Sequence, residues 1–249
     1  MVVGKTLRNV FVRMFFLQST WNFERMQNLG FCYAMLPALR LIYDNESELK
    51  DALKRHVEFF NTHPYMASAI IGTVIRMEED VKSGNVSGDE VKTLKTAVMG
   101  SCGAIGDSFF WGALKPFASI VSVLFAAFGQ IIAPIIFLLL YNIPHIATRI
   151  FGLYNGYQVG MQVFDRFKSL HLPLLSRRLK LLGVVLAGAM MAILCQSRPE
   201  PLSSCSTMIT GAIALIIFSI CYGLVKKGLS VQVIIYILLI LSIGSSTFI

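Results

Sequence analysis

Thr207–Val225, TMITGAIALIIFSICYGLV, contains no charged residue, and neither does Leu229–Ser246, LSVQVIIYILLILSIGSS. Each approaches the roughly 20 apolar residues that a helix needs to cross a hydrocarbon core, where only intrahelical bonds can satisfy the backbone. Both are predicted transmembrane helices. Leu181–Cys195 is shorter but wholly apolar, and Lys180 and Arg198 flank it where long side chains can reach headgroups. Phe117–Tyr141 is long enough to cross, with a kink expected at Pro134. Asn142–Phe164, interrupted by Pro144 and Arg149, is either a further helix or part of a broken one.

Composition follows this pattern. Of the 249 residues, 55% are hydrophobic and 14% charged, with a mean hydropathy of +0.66; an ordinary soluble domain carries about one-quarter charged residues. The charge is uneven: residues 1–116 hold 13 Lys/Arg and 12 Asp/Glu, whereas residues 117–249 hold 9 Lys/Arg and only Asp165 and Glu200 as acids. The expected fold is therefore an all-α integral membrane protein. Its first region, 1–116, is read as amphipathic and re-entrant helices, and its second, 117–249, as a bundle of about four to five transmembrane helices.

The net charge of +8 does not point to nucleic acid, because the cations flank apolar runs and form no basic stripe interleaved with aromatics. Five scattered cysteines, without a CxxC pair or a histidine at ligand spacing, indicate neither a zinc site nor a disulfide framework. No small-residue cleavage site follows the basic N-terminal stretch, so no signal peptide is read there. Arg166, Lys168, Arg177, Arg178 and Lys180 form the densest cationic loop, and Lys226–Lys227 lies two spans later. Both are expected on the cytoplasmic side, with the N-terminus cytoplasmic and the C-terminus external.

In the first region, Asn45 and Glu48 form a capping-box pattern ahead of Leu49, Ala52, Leu53, His56, Val57 and Phe60, which predicts an amphipathic helix. Met66–Ile75, about ten apolar residues, suits a re-entrant segment better than a span. Residues 83–89 read as an exposed loop.

Three clusters could carry function. A helix over Trp21–Asn28 would bring Trp21, Glu24, Gln27 and Asn28 towards one face. A ring beside a carboxylate and amides suits a sugar, covering its apolar face while the polar groups meet hydroxyls; an exposed polar turn would look the same. In Met99–Gly112, glycines at 100, 103 and 106 permit a tight turn, and Asp107 or Ser108 would cap a half-helix with free amides, or simply mark close packing. Phe59–Pro64 places His63 before a proline, a bend at the mouth of Met66–Ile75. His56, His63, His145 and His171 have no Ser or Asp at a recognisable spacing, so no catalytic residue is read.

These clusters carry a resemblance. Gln18–Gln27, Arg55–Pro64, Arg76–Glu79 and Gly106–Gly112 occur in order over residues 8–116, with Gly156-Tyr157-Gln158-Val159-Gly160 further on. Together they resemble the IID membrane component of the mannose/fructose/sorbose-type phosphotransferase system. The resemblance implies a bacterial cytoplasmic-membrane subunit that pairs with a IIC component of related fold and opposite orientation. The two would conduct a hexose or amino sugar inward in higher oligomers. Cytoplasmic IIA and IIB proteins relay phosphate from phosphoenolpyruvate to the emerging sugar, so IID itself needs no phosphorylated residue, cofactor or metal. Carried over by position, Trp21, Asn22, Glu24 and Gln27 would border the sugar, with Asn61, Thr62 and Asp107 nearby. A run usual in the family, Pro-Leu-Ala-Gly, is replaced here by Ser101-Cys102-Gly103-Ala104. Two other readings stand beside it: a stand-alone proton-coupled transporter using Glu24 and Asp107, and a scaffold that touches no substrate.

Overall fold

The computed structural model describes residue 2, residues 4–196 and residues 207–246. Arg198, Glu200 and Cys205 lie outside them. The described chain is helical: α1 Gly4–Arg13, α2 Asn28–Ile42, α3 Glu46–His56, α4 Ala67–Lys82, α5 Gly88–Gly106, α6 Lys115–Ala127, α7 Ala133–Val159, α8 Gln162–Ser169, α9 Leu172–Gln196, α10 Thr207–Lys226 and α11 Val231–Ser246. Among the described residues the only β-type pairings are two isolated bridges. The charge-free runs Thr207–Val225 and Leu229–Ser246 correspond to α10 and α11. Packing divides the chain into two units, Met1–Gly183 and Val184–Ile249.

Among the described residues, two helices are long and apolar enough to cross a membrane, Gly88–Ala127 and Ala133–Val159. The first joins α5 to α6 through a π-helical segment, Asp107–Leu114, so residue 116 falls inside one continuous helix. Phe117–Tyr141 is accordingly not one kinked span. The chain turns at Gly129, whose φ of +71° favours a residue without Cβ, and Pro134 sits harmlessly in the first turn of α7. Pro144 lies within α7 without ending it.

At the centre of the first unit is α4. Residues 67–75, expected as a re-entrant stretch, form its buried first half, with Ile70, Ile71, Val74 and Ile75 fully covered. Its partner is α7, and glycines let the two backbones meet: a Cβ at Gly156 would lie 2.6 Å from the Ala69 carbonyl oxygen, and one at Gly152 2.2 Å from Ser68 Oγ. Small residues four apart on one helix face are a usual device for close packing in a bilayer, where apolar contact alone gives little drive.

The far end of α4 is tied to α3 by a buried ionic lock. Asn45 caps α3 through the Ser47 amide, but Glu48 does not close the expected box; it pairs with Lys82 instead. The last turn of α3 presents Arg55 and His56 to Glu78. Arg55 donates twice to the Glu78 carboxylate, Nε to Oε1 and Nη2 to Oε2, both at 2.7 Å; the Tyr43 hydroxyl donates to Oε2 at 2.6 Å, and His56 Nε2 lies 2.8 Å from Oε1. Burial opposes ionisation of Glu78, and the bonds from Arg55, His56 and Tyr43 outweigh it, holding its pKa at about 2. Burial dominates at His56, lowering its pKa to about 4 despite Glu78, so the imidazole is neutral and donates.

Candidate functional site

Two non-helical segments meet ahead of α2 and α4. Residues 21–27 are not a helix. Met26 adopts a φ of +58°, and the chain folds back so that Asn22 and Met26 exchange backbone bonds of 3.1 and 2.9 Å. The returning strand then pairs with the next motif: the Gln27 amide donates to the Phe60 carbonyl at 2.9 Å, and the Gln27 side chain bonds the Thr62 backbone in both directions, at 2.8 and 3.2 Å. Asn22 accepts from the Arg25 amide at 2.8 Å and donates to Asn28, which holds the Val57 carbonyl.

These pairings sort the seven residues expected at a sugar site. Gln27 and Thr62 are buried and brought together, and Asn22 is half-buried and engaged within its own loop. Trp21, Glu24, Asn61 and Asp107 are exposed. The Trp21 ring stands edge-on to Phe23, itself 88% exposed, with centroids 4.9 Å apart. Asp107 is not a cap. It has helical φ and ψ of −61° and −45° where α5 passes into the π-helical segment, so no free helix N-terminus forms there. A helix with its turns widened in this way often marks a functional place.

His63 brings this third motif to the other two. Its ring stacks on Phe110 with centroids 5.1 Å apart, and lies 4.7 Å from Trp111. Gly106 makes room for it, since a Cβ there would lie 2.4 Å from both Cβ and Cγ of His63. Segments 21–27, 60–65 and 106–111 therefore form one locus at the start of α4, while the Arg76–Glu79 motif supplies Glu78 to the lock at its other end.

Sequence reasoning missed a second layer behind this locus, centred on Tyr65. Its ring stacks on His145 at 4.4 Å, its hydroxyl lies 3.0 Å from that of Tyr141, and Arg149 stands over it at 5.0 Å. Arg149 is 5% exposed and bonds the Met14 carbonyl at 3.1 Å. A signal was available: between Lys115 and Asp165, Arg149 is the only charged residue, and a lone ionisable group in an apolar helix is expensive unless it has a purpose.

Comparison with known proteins matches this frame. Residues 2–248 fit the family described as the PTS system mannose/fructose/sorbose family IID component. The mannose-specific EIID component of Escherichia coli K12 is 36% identical over 186 residues, which is 74% of this chain and 66% of that relative. The chain thus spans a little under two thirds of that relative's length. The fructose permease IID component of Bacillus subtilis is 32% identical over 189 residues, 76% of this chain and 69% of the relative. Among solved structures, one described as a membrane protein superposes with a TM-score of 0.79 at 29% identity, covering 98% of this chain and 97% of the other. The mannose transporter ManYZ with microcin E492 gives 0.62 at 30% identity, covering 99% and 97%. The chain belongs to the IID component family of the mannose/fructose/sorbose phosphotransferase systems.

Proposed function

We propose that this chain is the IID subunit of a phosphoenolpyruvate-dependent sugar permease. With a IIC partner of related fold and opposite orientation it forms the path for a hexose or amino sugar across the bacterial cytoplasmic membrane. Cytoplasmic IIA and IIB proteins supply phosphate as the sugar emerges, and the IIC–IID units gather into a larger oligomer. The N-terminus faces the cytoplasm and the C-terminus the exterior. The observation that carries this reading is the convergence of three motif segments, far apart in sequence, at the Gln27–Thr62 pair and the His63–Gly106 contact.

The locus has the chemistry a sugar needs. Trp21 offers an exposed ring for the apolar face of a pyranose, and Glu24, Asn61 and Asp107 offer acceptors or donors to hydroxyls. Asn22 and Gln27 act behind them, fixing the two loops. Residues 1–116 handle the substrate in this reading, and 117–249 anchor it. Membrane vesicles carrying this chain with matching IIA, IIB and IIC proteins test it. Phosphoenolpyruvate-dependent sugar phosphorylation is expected to require the chain. An equal rate without it would overturn the reading, and accumulation by the chain alone, driven by a pH gradient, would replace it with a proton-coupled transporter.

A further inference from the structure

Among the described residues, five buried side-chain polar atoms have no hydrogen-bond partner: His56 Nδ1, Thr62 Oγ1, His63 Nε2, His145 Nδ1 and Arg149 Nε. Four of the five belong to one neighbourhood. His63, His145 and Arg149 all pack against the Tyr65 ring, with His63 at 4.7 Å, and Thr62 directly precedes His63. All four residues are more than nine-tenths buried. Leaving a buried donor or acceptor unpaired is unfavourable, so such a concentration implies a partner.

The chemistry of that partner follows from the protons. The Tyr65 amide donates to His63 Nδ1 at 3.3 Å, so the neutral ring carries its proton on Nε2, an unpaired donor. His145 Nε2 faces the Asn142 amide oxygen at 2.8 Å, which leaves Nδ1 as a bare acceptor. Arg149 Nε is a donor, and the Thr62 hydroxyl is either. A cation is unwelcome beside the guanidinium, and an anion would meet the His145 lone pair. A neutral hydroxyl, which both accepts and donates, suits the set.

We propose that Thr62, His63, His145 and Arg149 form an inner site that takes a hydroxyl group, supplied by the sugar in transit and by water in its absence. It rests on the permease reading and adds residues of specificity behind the Gln27–Thr62 pair. Tyr65 and Trp111 supply apolar ring surface beside it. The site is made by α7 and the 60–65 segment together.

Mannose and its 2-, 3-, 4- and 6-monodeoxy derivatives, titrated calorimetrically into the purified IIC–IID complex, test the proposal. His145→Phe keeps a ring against Tyr65 and removes the acceptor. It is expected to weaken mannose about tenfold, the worth of one hydrogen bond, while one deoxy derivative binds wild type and variant alike. Unchanged mannose affinity would overturn the proposal, leaving water as the sole occupant, and so would an equal loss across the whole series, the mark of a packing role. If His145→Phe does not assemble with IIC, Arg149→Lys, which keeps the charge and removes Nε, is read in the same way. If the unaltered complex does not take mannose, the same series is run on the hexose or amino sugar it does bind, and failure to bind any hexose or amino sugar would instead bring down the permease reading itself.

Discussion

Glu78 and Arg149 are both buried ionised groups, yet their surroundings are opposite. Glu78 is fully covered and receives bonds from Arg55, Tyr43 and His56, so the lock leaves only His56 Nδ1 without a partner. Arg149 has one carbonyl and two aromatic faces, Phe15 and Tyr65, and among the described residues no carboxylate within ion-pair distance. A charge that is fully matched holds a structure together; one that is left unmatched is held ready for something else. The ends of α4 divide accordingly. Its C-terminal end is fastened to α3, and its N-terminal end opens onto the motif loops.

The largest expected effect lies in the lock. Glu78→Ala strands Arg55 without its counter-charge and His56 without its acceptor, and should cost about 3–5 kcal/mol of unfolding free energy, measured by denaturant titration in detergent. A loss below about 1 kcal/mol would erase the distinction between the two ends. Acid should loosen the same lock. His56 titrates at about 4 in the fold against 6.5 in the open chain, and Glu78 at about 2 against 4.5. In each interval the unfolded state binds more protons, so stability falls with falling pH. The decline should begin below about pH 6.5 through His56 and continue from 4.5 towards 2 through Glu78. Unfolding midpoints that stay level between pH 7 and 4 would contradict this.

Gly106→Ala is the intermediate case, because it acts on the open end. The added Cβ would lie 2.4 Å from His63, and one of the two must yield, at about 1–3 kcal/mol, partly offset by the roughly 1 kcal/mol that alanine gains over glycine in a helix. The displaced ring takes its orphaned Nε2 with it. Sugar affinity should therefore fall further than stability, and a variant that loses stability with unchanged affinity would confine His63 to packing.

How much of this was legible in the sequence depends on whether the cause was local. Charge-free runs made α10 and α11 readable, and Asn45 announced the start of α3. The Trp21–Asn28 segment was misread as helix because what decides it is remote: the Gln27 amide finds Phe60, and Met26 turns to positive φ to allow it. Asp107 looked like a cap beside glycines, but Gly106 serves the His63 ring across the fold and the helix runs on. The motifs marked loops that meet in the fold without saying which side chains face out. The Tyr65 cluster had a single visible sign, the lone cation Arg149, and its other members lie on elements that only packing unites.

The smallest expected effect on stability, and the sharpest test of the exposed half of the site, is Glu24→Ala. The Glu24 side chain is 80% exposed and, among the described residues, pairs only with its neighbour Arg25, at 3.3 Å. Exposed pairs of this kind contribute about 0–1 kcal/mol, so unfolding should shift by no more than about 0.5 kcal/mol. The fold gives this carboxylate no structural task, and any change in uptake therefore reports a contact made outside the chain. If it receives a sugar hydroxyl, KM for phosphoenolpyruvate-driven uptake should rise about tenfold with the assembled complex intact. Should uptake stay unchanged, Glu24 is a solvated surface charge, and recognition retreats from the exposed loop to the buried layer behind it.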